Sequence, residues 1–138
     1  MDTAIIIKLL VDEPDSHVFR QAIPGNSIST SELAVTEVLA ALLAKERTQS
    51  ITELEREQAW KEFSSWIADE RLEIHSMDSL TLKKARHTLD RCHPSVPLRT
   101  LDSIHVAACD SSQDFPLCAT DKRMRDAAKL LHIPVFPE

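Results

Sequence analysis

Short apolar segments alternate with longer amphipathic segments along most of this chain, and this alternation limits the fold more than any other feature. The short segments predict strands within residues 26–31, 72–75, 115–120 and 133–136. The longer segments predict helices over residues 3–12, 13–23, 32–46, 52–69, 78–91, 99–110 and 121–131. Parallel strands are joined by crossover connections of this length, which are usually helices. The sequence therefore predicts an α/β fold whose parallel sheet is covered by helices on its faces.

The chain is predicted to form one domain over residues 1–138, because it carries no internal repeat or low-complexity linker and its length suits a single core. In the helix predicted over 52–69, Trp60, Phe63 and Ile67 share one face, which predicts core packing. Trp66 lies off that stripe and is therefore a candidate contact for a partner protein.

Glycine content and net charge argue against several classes of function. Gly25 is the only glycine, whereas loops that wrap phosphates with backbone amides need several glycines. We therefore do not expect Rossmann-type dinucleotide binding or P-loop chemistry. The net charge of −6 also argues against binding nucleic acid by bulk electrostatics, so such binding needs local positive groups or bound cations.

The N-terminal stretch and the cysteines predict the cellular compartment. Residues 1–13 lack the basic leader and the small-residue cleavage site of a secretory signal. No apolar run approaches the roughly 20 residues that cross a bilayer. Cys92, Cys109 and Cys118 are odd in number and widely spaced, which fits reduced thiols. We expect a cytoplasmic protein without a membrane span.

Three acidic residues lie at predicted junctions between elements. Asp121 follows a predicted strand, Asp102 lies in the first turn of a predicted helix, and Asp2 precedes the first helix. In parallel α/β sheets, functional groups collect beyond the carboxyl ends of the strands. An aspartate at a helix N-terminus also caps amide groups and interacts favourably with the helix dipole. Each of the three is therefore open to a functional and a structural interpretation.

Glu37 differs from these three because it lies well inside a predicted helix, where capping is not available. Its neighbours are mostly apolar, and no Lys or Arg lies within one helical turn. A carboxylate facing solvent needs no partner, whereas one facing inward does, because an isolated buried carboxyl is protonated instead. Mg²⁺ or Mn²⁺ suits carboxylate oxygens. Two carboxylates about 4 Å apart repel by roughly 4 kcal/mol at an effective dielectric near 20, so clustered acids imply metal.

Four segments, in order, resemble the motif blocks of PIN-domain proteins and are closest to VapC-type toxins. The segments are DTAIIIKLLVDEPDS, STSELAVTEVLAAL, LRTLDSIHVAA and CATDKRMRDAAKLLHIPVF, and together they span nearly the whole chain. The resemblance implies a PIN-like three-layer sandwich with a central parallel sheet flanked by helices. It also implies a Mg²⁺- or Mn²⁺-dependent endoribonuclease that hydrolyses RNA phosphodiester bonds, as the toxin of a type II toxin–antitoxin pair.

The same resemblance implies partners and site residues. VapC-type toxins are usually dimers that a small antitoxin protein neutralises, so we expect an RNA substrate, a VapB-like antitoxin and a homodimer. By motif position, the acids expected to act in catalysis and metal binding are Asp2, Glu37, Asp102 and Asp121. The supporting polar residues are Thr3 and Thr120.

The expected reaction is attack of a cation-activated water on phosphorus, with the cation neutralising charge on the phosphate oxygens. One carboxylate could orient or deprotonate that water. Four basic residues flank the acids in sequence, namely Arg99, Lys122, Arg123 and Arg125. They fit contacts to RNA phosphates, and they fit a solvated helix surface equally well.

The N-terminus departs from the family pattern. Family members place the first aspartate at the end of an apolar central strand, whereas only Met1 precedes Asp2 here. We therefore expect a truncated first strand. Such a truncation leaves backbone groups unpaired in the middle of the sheet unless another segment fills the gap.

Other interpretations use the same residues. A PIN-like domain with impaired catalysis would bind a partner or RNA without cutting it. An aspartyl-phosphate phosphatase or receiver domain also has an acidic Mg²⁺ pocket, but the DT pair at Asp2 lacks the second Asp of a DxDxT loop. His105 and Cys109 have the i, i+4 spacing of a helical metal pair, although a buried Cys beside a hydrogen-bonded His is the commoner arrangement.

Overall fold

The computed structural model describes residues 1–23 and 28–138, and within these ranges the order and type of the elements follow the prediction. The helices are α1 (Thr3–Leu10), α2 (Ser16–Ala22), α3 (Glu32–Arg47), α4 (Glu53–Ala68), α5 (Ser79–Cys92), α6 (Thr100–Ser112) and α7 (Lys122–Leu130). The strands are β1 (Ile28–Ser31), β2 (Leu72–His75), β3 (Leu117–Cys118) and β4 (Val135–Phe136). Asn26 and Ser27, at the start of the first predicted strand, lie outside the described residues, as does Gly25.

The strands form two parallel pairs. β1 pairs with β2, with Ile28 opposite Leu72, and β3 pairs with β4, with Leu117 opposite Val135. Parallel pairing was predicted, but β3 and β4 are shorter than the predicted strands 115–120 and 133–136. The two strands start later than predicted because Pro116 and Pro134 directly precede them, and proline has no N–H to donate to a ladder.

Met1 and Asp2 lie between the two strand pairs. The amino group of Met1 donates to the carbonyl of Ser29 (2.9 Å), on β1. The backbone N–H of Asp2 donates to the carbonyl of Cys118 (2.8 Å), on β3. The Thr30 hydroxyl donates to the Met1 carbonyl (2.7 Å). Met1 and Asp2 thus bridge the two strand pairs at the position expected for a central strand. In place of the predicted single sheet, the structure has two strand pairs that these two residues join.

The larger core lies between α1, α3, α4 and β2. Phe63 is fully buried there, and Trp60 and Ile67 pack against the same cluster, as the stripe on α4 predicts. Trp66 is only 9 % exposed and packs edge-on against Phe63, with ring centroids 6.4 Å apart. The expectation that Trp66 contacts a partner is therefore wrong. Because α4 packs against both α3 and β2, it buries a wider face than the stripe alone.

A second core lies around α6, α7 and β3, with Val106, Leu117 and Met124 buried in it. The three cysteines are free thiols, as predicted. Among the helices described here, none combines the length and the apolar character needed to cross a membrane.

Candidate active site

Asp2 occupies the start of α1 and is both a helix cap and a buried carboxylate. Its Oδ1 accepts the N–H of Ile5 (3.0 Å), and its Oδ2 accepts the N–H of Thr120 (3.3 Å), just before α7. The residue is only 4 % exposed. Burial raises the pKa of the Asp2 carboxyl, against the lowering effect of these N–H groups and of His105 nearby. The capping interpretation is correct for Asp2, but its side chain also lies at a buried junction of α1 and the start of α7.

Glu37 faces inward from α3. Its Oε2 accepts the hydroxyl of Thr3 (2.6 Å) and lies 2.5 Å from Nε2 of His105. Burial acts to raise the pKa of the Glu37 carboxyl, but the hydrogen bonds from His105 and Thr3 outweigh burial and lower it. Glu37 therefore faces inward, which the sequence left open. Its basic partner is a histidine from a distant helix and not a neighbouring Lys or Arg.

Asp102 lies in the first turn of α6, where no side chain caps the helix. Its Oδ2 is buried, and within residues 1–23 and 28–138 it is the one buried side-chain oxygen or nitrogen without a hydrogen-bond partner. The nearest cation is Arg123, whose Nε is 3.9 Å from this oxygen. Buried polar atoms in proteins are nearly always hydrogen-bonded. Capping therefore does not account for Asp102.

Asp121 caps α7. Its Oδ1 accepts the N–H groups of Arg123 (2.8 Å) and Met124 (3.2 Å). Its Oδ2 forms an ion pair with the Arg123 guanidinium (3.0 Å). The hydrogen bond from Arg123 and the two backbone N–H groups lower the pKa of the Asp121 carboxyl despite partial burial. Asp121 is thus a helix cap, as one of its two interpretations predicts. Its second oxygen forms an ion pair with Arg123.

The four acids are connected by a series of contacts and of near neighbours in sequence, which we call the acidic ring. Thr120 binds Asp2 and precedes Asp121, and Arg123 then links Asp121 to Asp102. Asp102 and His105 lie three residues apart on α6, so they share one face of that helix. His105 contacts Glu37, which binds Thr3, the residue next to Asp2. The structure therefore connects the sequence-predicted acids, but among the described residues no three of their ligand atoms lie within 4.8 Å of one another.

A separate group of potential ligands lies outside the acidic ring. Glu73, His75 and Asp114 offer ligand atoms within 4.8 Å of one another, the only such group of three or more in the part of the chain that the structure describes. Glu73 and Asp114 are exposed. His75 already contacts the Asp114 carboxylate (2.6 Å), and such an exposed pair requires no metal.

The remaining predicted residues have varied surroundings. Thr3 contacts Glu37 through its hydroxyl, whereas Thr120 contributes its backbone N–H and has an exposed side chain. Arg123 lies between two acids of the ring. The other three basic residues are engaged elsewhere or exposed: Arg125 donates to the Ala119 carbonyl, Lys122 pairs with Asp126, and Arg99 is exposed where α6 begins.

Sequence reasoning missed His105 as a member of the site, because it was considered only as a metal ligand with Cys109. In the structure Nδ1 and Nε2 of His105 contact Ser31 and Glu37, and the Cys109 thiol donates to the Asp114 carbonyl (3.2 Å). The pair is therefore a buried Cys beside a hydrogen-bonded His. The signal that could have identified His105 is its i, i+3 spacing from Asp102.

Comparison with known proteins places this arrangement in a family. The family model described as PIN domain matches residues 1–130, a range that contains the whole acidic ring. The chain belongs to the PIN domain family. It is 36 % identical over 141 residues to the protein named ribonuclease VapC46 of Mycobacterium tuberculosis (strain ATCC 25618 / H37Rv), with 99 % of this chain and 94 % of the relative covered.

Two further relatives from the same species have similar names. They are ribonuclease VapC45 of strain CDC 1551 / Oshkosh and ribonuclease VapC49 of strain ATCC 25618 / H37Rv. Each is 30 % identical over 142 residues, with 99 % of this chain and 92 % of the relative covered. The resemblance to PIN-domain proteins drawn from four sequence segments is thereby confirmed, together with the α/β fold.

Proposed function

We propose that this PIN domain protein is a metal-dependent endoribonuclease and the toxin of a type II toxin–antitoxin pair. Relatives that align with nearly the whole chain are named ribonucleases. The observation that carries the proposal is the buried Oδ2 of Asp102, which has no hydrogen-bond partner within the described ranges and lies in a ring with three other acids. A partner-binding domain has no need of such a group.

The donor chemistry of the acidic ring suits a divalent cation, and its carboxylates would have to draw closer together to share one. A buried carboxylate oxygen without a hydrogen-bond partner costs about 1–3 kcal/mol. Arg123, 3.9 Å from Asp102 Oδ2, offsets part of this cost, and a bound cation would offset more of it. The ring contains four carboxylates, and the basic groups near them among the described residues are Arg123, His105 and, for Asp2, the Met1 amino group. Mg²⁺ and Mn²⁺ prefer carboxylate oxygens and keep several waters. We propose that Asp2, Glu37, Asp102 and Asp121 hold one of these ions.

A bound ion of this class polarises a phosphodiester and promotes attack by water. The protein's own part is to hold the carboxylates in place. α1 and α7 fix Asp2 and Asp121 through their first N–H groups, and Thr3 and His105 fix Glu37. One carboxylate also serves to orient the attacking water.

Basic side chains near the ring supply phosphate contacts in this proposal. Lys122 and Arg99 are exposed, and their charges lie at the N-terminal ends of α7 and α6. Arg125 lies on the same helix as Lys122. We assign contacts with the RNA backbone to these three residues and to Arg123, which lies against Asp121 and Asp102. Such local positive charge offsets the overall charge of −6.

We also propose two protein partners, a small VapB-like antitoxin and a second copy of this chain. We propose that the protein acts in the cytoplasm, where RNA is present. Leu54, Leu80 and Leu101 are large apolar side chains that are about half or more exposed. Interaction sites are marked by contiguous exposed apolar patches rather than by single exposed side chains, and substituting these leucines tests whether they belong to such a patch. These leucines are therefore the first positions to examine for partner contacts.

Cleavage of RNA tests the proposal. We expect purified protein to cut a mixed-sequence RNA internally in Mg²⁺ or Mn²⁺, and EDTA to abolish the cutting. Asp102→Asn should remove activity without unfolding the protein. Asp110→Asn is the matched control, because Asp110 lies on the same helix and pairs with Lys84, away from the ring. Binding of RNA without cleavage in either metal would instead support the impaired, RNA-binding alternative.

A further inference from the structure

The two oxygens of the Glu37 carboxylate have different surroundings. Thr3 Oγ1 lies 2.6 Å from Oε2, and His105 Nε2 lies 2.5 Å from the same oxygen. Both protein contacts therefore fall on Oε2. Among the described residues no hydrogen bond reaches Oε1, which is thus the oxygen left for another partner.

His105 is itself held from its opposite side. Its Nδ1 lies 3.2 Å from the Ser31 hydroxyl, and both residues are buried, at 6 % and 3 % exposure. Because a carboxylate only accepts hydrogen bonds, the proton between His105 and Glu37 must be on Nε2. The Ser31 hydroxyl can accept from Nδ1–H or donate to a bare Nδ1. Nε2 is therefore a donor to Glu37 in either protonation state.

These contacts join the elements that carry the acids. Ser31 is the last residue of β1 and directly precedes α3, the helix of Glu37. His105 lies one turn after Asp102 on α6, on the same helix face. Any rotation of α6 relative to α3 would therefore change both the Asp102 position and the Glu37 contact. His105 couples two acids that are far apart in sequence.

We propose that His105 is a positioning residue that holds Oε2 of Glu37 and so reserves Oε1 for a divalent cation. This inference rests on the metal site assigned under the proposed function, but it does not require that RNA be cut. Groups that hydrogen-bond metal ligands typically change metal affinity or activity by about 10–100-fold when they are replaced. This role differs from the metal pair of His105 and Cys109 that the sequence spacing suggested, because His105 acts through Glu37 and without the Cys109 thiol.

Calorimetric titration with Mn²⁺ tests the proposal without RNA. We expect His105→Leu to weaken Mn²⁺ binding by about 10-fold or more, because it removes the Nε2–H donor. His105→Gln keeps an N–H donor and should bind Mn²⁺ much more tightly than His105→Leu. Cys109→Ala is the matched control, since Cys109 is buried one turn further along the same helix. It should bind Mn²⁺ like the wild type.

A double-mutant cycle separates positioning from a general loosening of the fold. If His105 acts through Glu37, replacing His105 by Leu in a Glu37→Gln background should weaken Mn²⁺ binding no further. Additive losses in the double variant, or wild-type affinity in His105→Leu, would overturn the proposal. A loss in Cys109→Ala equal to that in His105→Leu would also overturn it.

The titration distinguishes this inference from the proposed function. Mn²⁺ binding with the expected pattern of variants but no RNA cleavage would leave the positioning role standing and refute the ribonuclease. Absence of Mn²⁺ binding by the wild-type protein would refute the positioning role. Unfolding by heat should be recorded for every variant in EDTA, so that a change in affinity is compared only among folded proteins.

Discussion

Asp121 combines a capping role with a charge in the acidic ring, and two substitutions separate these roles. Asp121→Ala removes both the hydrogen bonds to the first turn of α7 and the charge. Asp121→Asn removes the charge but keeps an oxygen that can accept the N–H groups of Arg123 and Met124. Because Asn caps helices about as well as Asp, the two variants differ mainly in the cap.

The expected magnitudes follow from this geometry. Loss of an N-terminal cap costs about 1 kcal/mol, which for a chain of this length corresponds to roughly 3 °C in Tm. We expect Asp121→Ala to be less stable than Asp121→Asn by about this amount, when both are measured in EDTA at pH 7. At that pH the wild-type carboxylate is fully charged, because Arg123 and the backbone N–H groups lower its pKa.

The assay is urea unfolding with and without Mn²⁺. The wild-type protein should gain stability from Mn²⁺, since a ligand that binds only the folded state raises the free energy of unfolding. Both Asp121 variants should lose most of this gain, as well as RNA cleavage. If Asp121→Asn kept the full Mn²⁺ stabilisation and cut RNA normally, Asp121 would be a cap alone and the reasoning would be refuted.

Three further predictions concern stability and reactivity away from the acidic ring. Glu13 contacts Lys8 (2.8 Å) and Lys45 (2.6 Å); burial acts to raise its pKa, but the two lysines lower it overall. Glu13→Gln should therefore destabilise the protein by about 1 kcal/mol at pH 7. The difference in urea midpoint between this variant and the wild type should shrink as pH falls below 4.5, and an unchanged difference at pH 3 would contradict the prediction. Phe63 is fully buried, so Phe63→Ala should cost about 3–5 kcal/mol in urea unfolding, and a cost under about 1 kcal/mol would show that the site is not packed. Burial raises the pKa of the Cys109 thiol to about 11, so Cys109 should resist a thiol reagent at pH 8 until urea unfolds the chain; rapid labelling of the native protein at this position would disprove its burial.

Much of the fold could be predicted because it depends on local patterns. Apolar periodicity and alternation define the helices and strands, and each observed element lies within or close to its predicted range. Strand length was less predictable near Pro116 and Pro134, because ladder bonds depend on which backbone groups face a neighbour. Trp66 was misassigned because the width of the buried face of α4 depends on β2, which that helix meets only in the folded chain.

The site was predictable in part for the same reason. Glu37 could be singled out from its own helix, since an acid far from a helix end has no capping role. Whether Asp102 is a cap could not be decided from spacing, because capping depends on the direction of one side chain. His105 was missed because its contacts, Ser31 and Glu37, lie 74 and 68 residues away in sequence.

The rate of RNA cleavage as a function of Mn²⁺ concentration tests the central claim most directly. The comparison needs wild-type protein, Asp102→Asn in the acidic ring, and Glu73→Gln in the separate exposed group of Glu73, His75 and Asp114. We predict that wild-type cleavage rises and saturates with Mn²⁺, that Glu73→Gln follows the same curve, and that Asp102→Asn does not cut at any Mn²⁺ concentration. Normal cleavage by Asp102→Asn together with loss of cleavage in Glu73→Gln would contradict the account and place the metal in the exposed group.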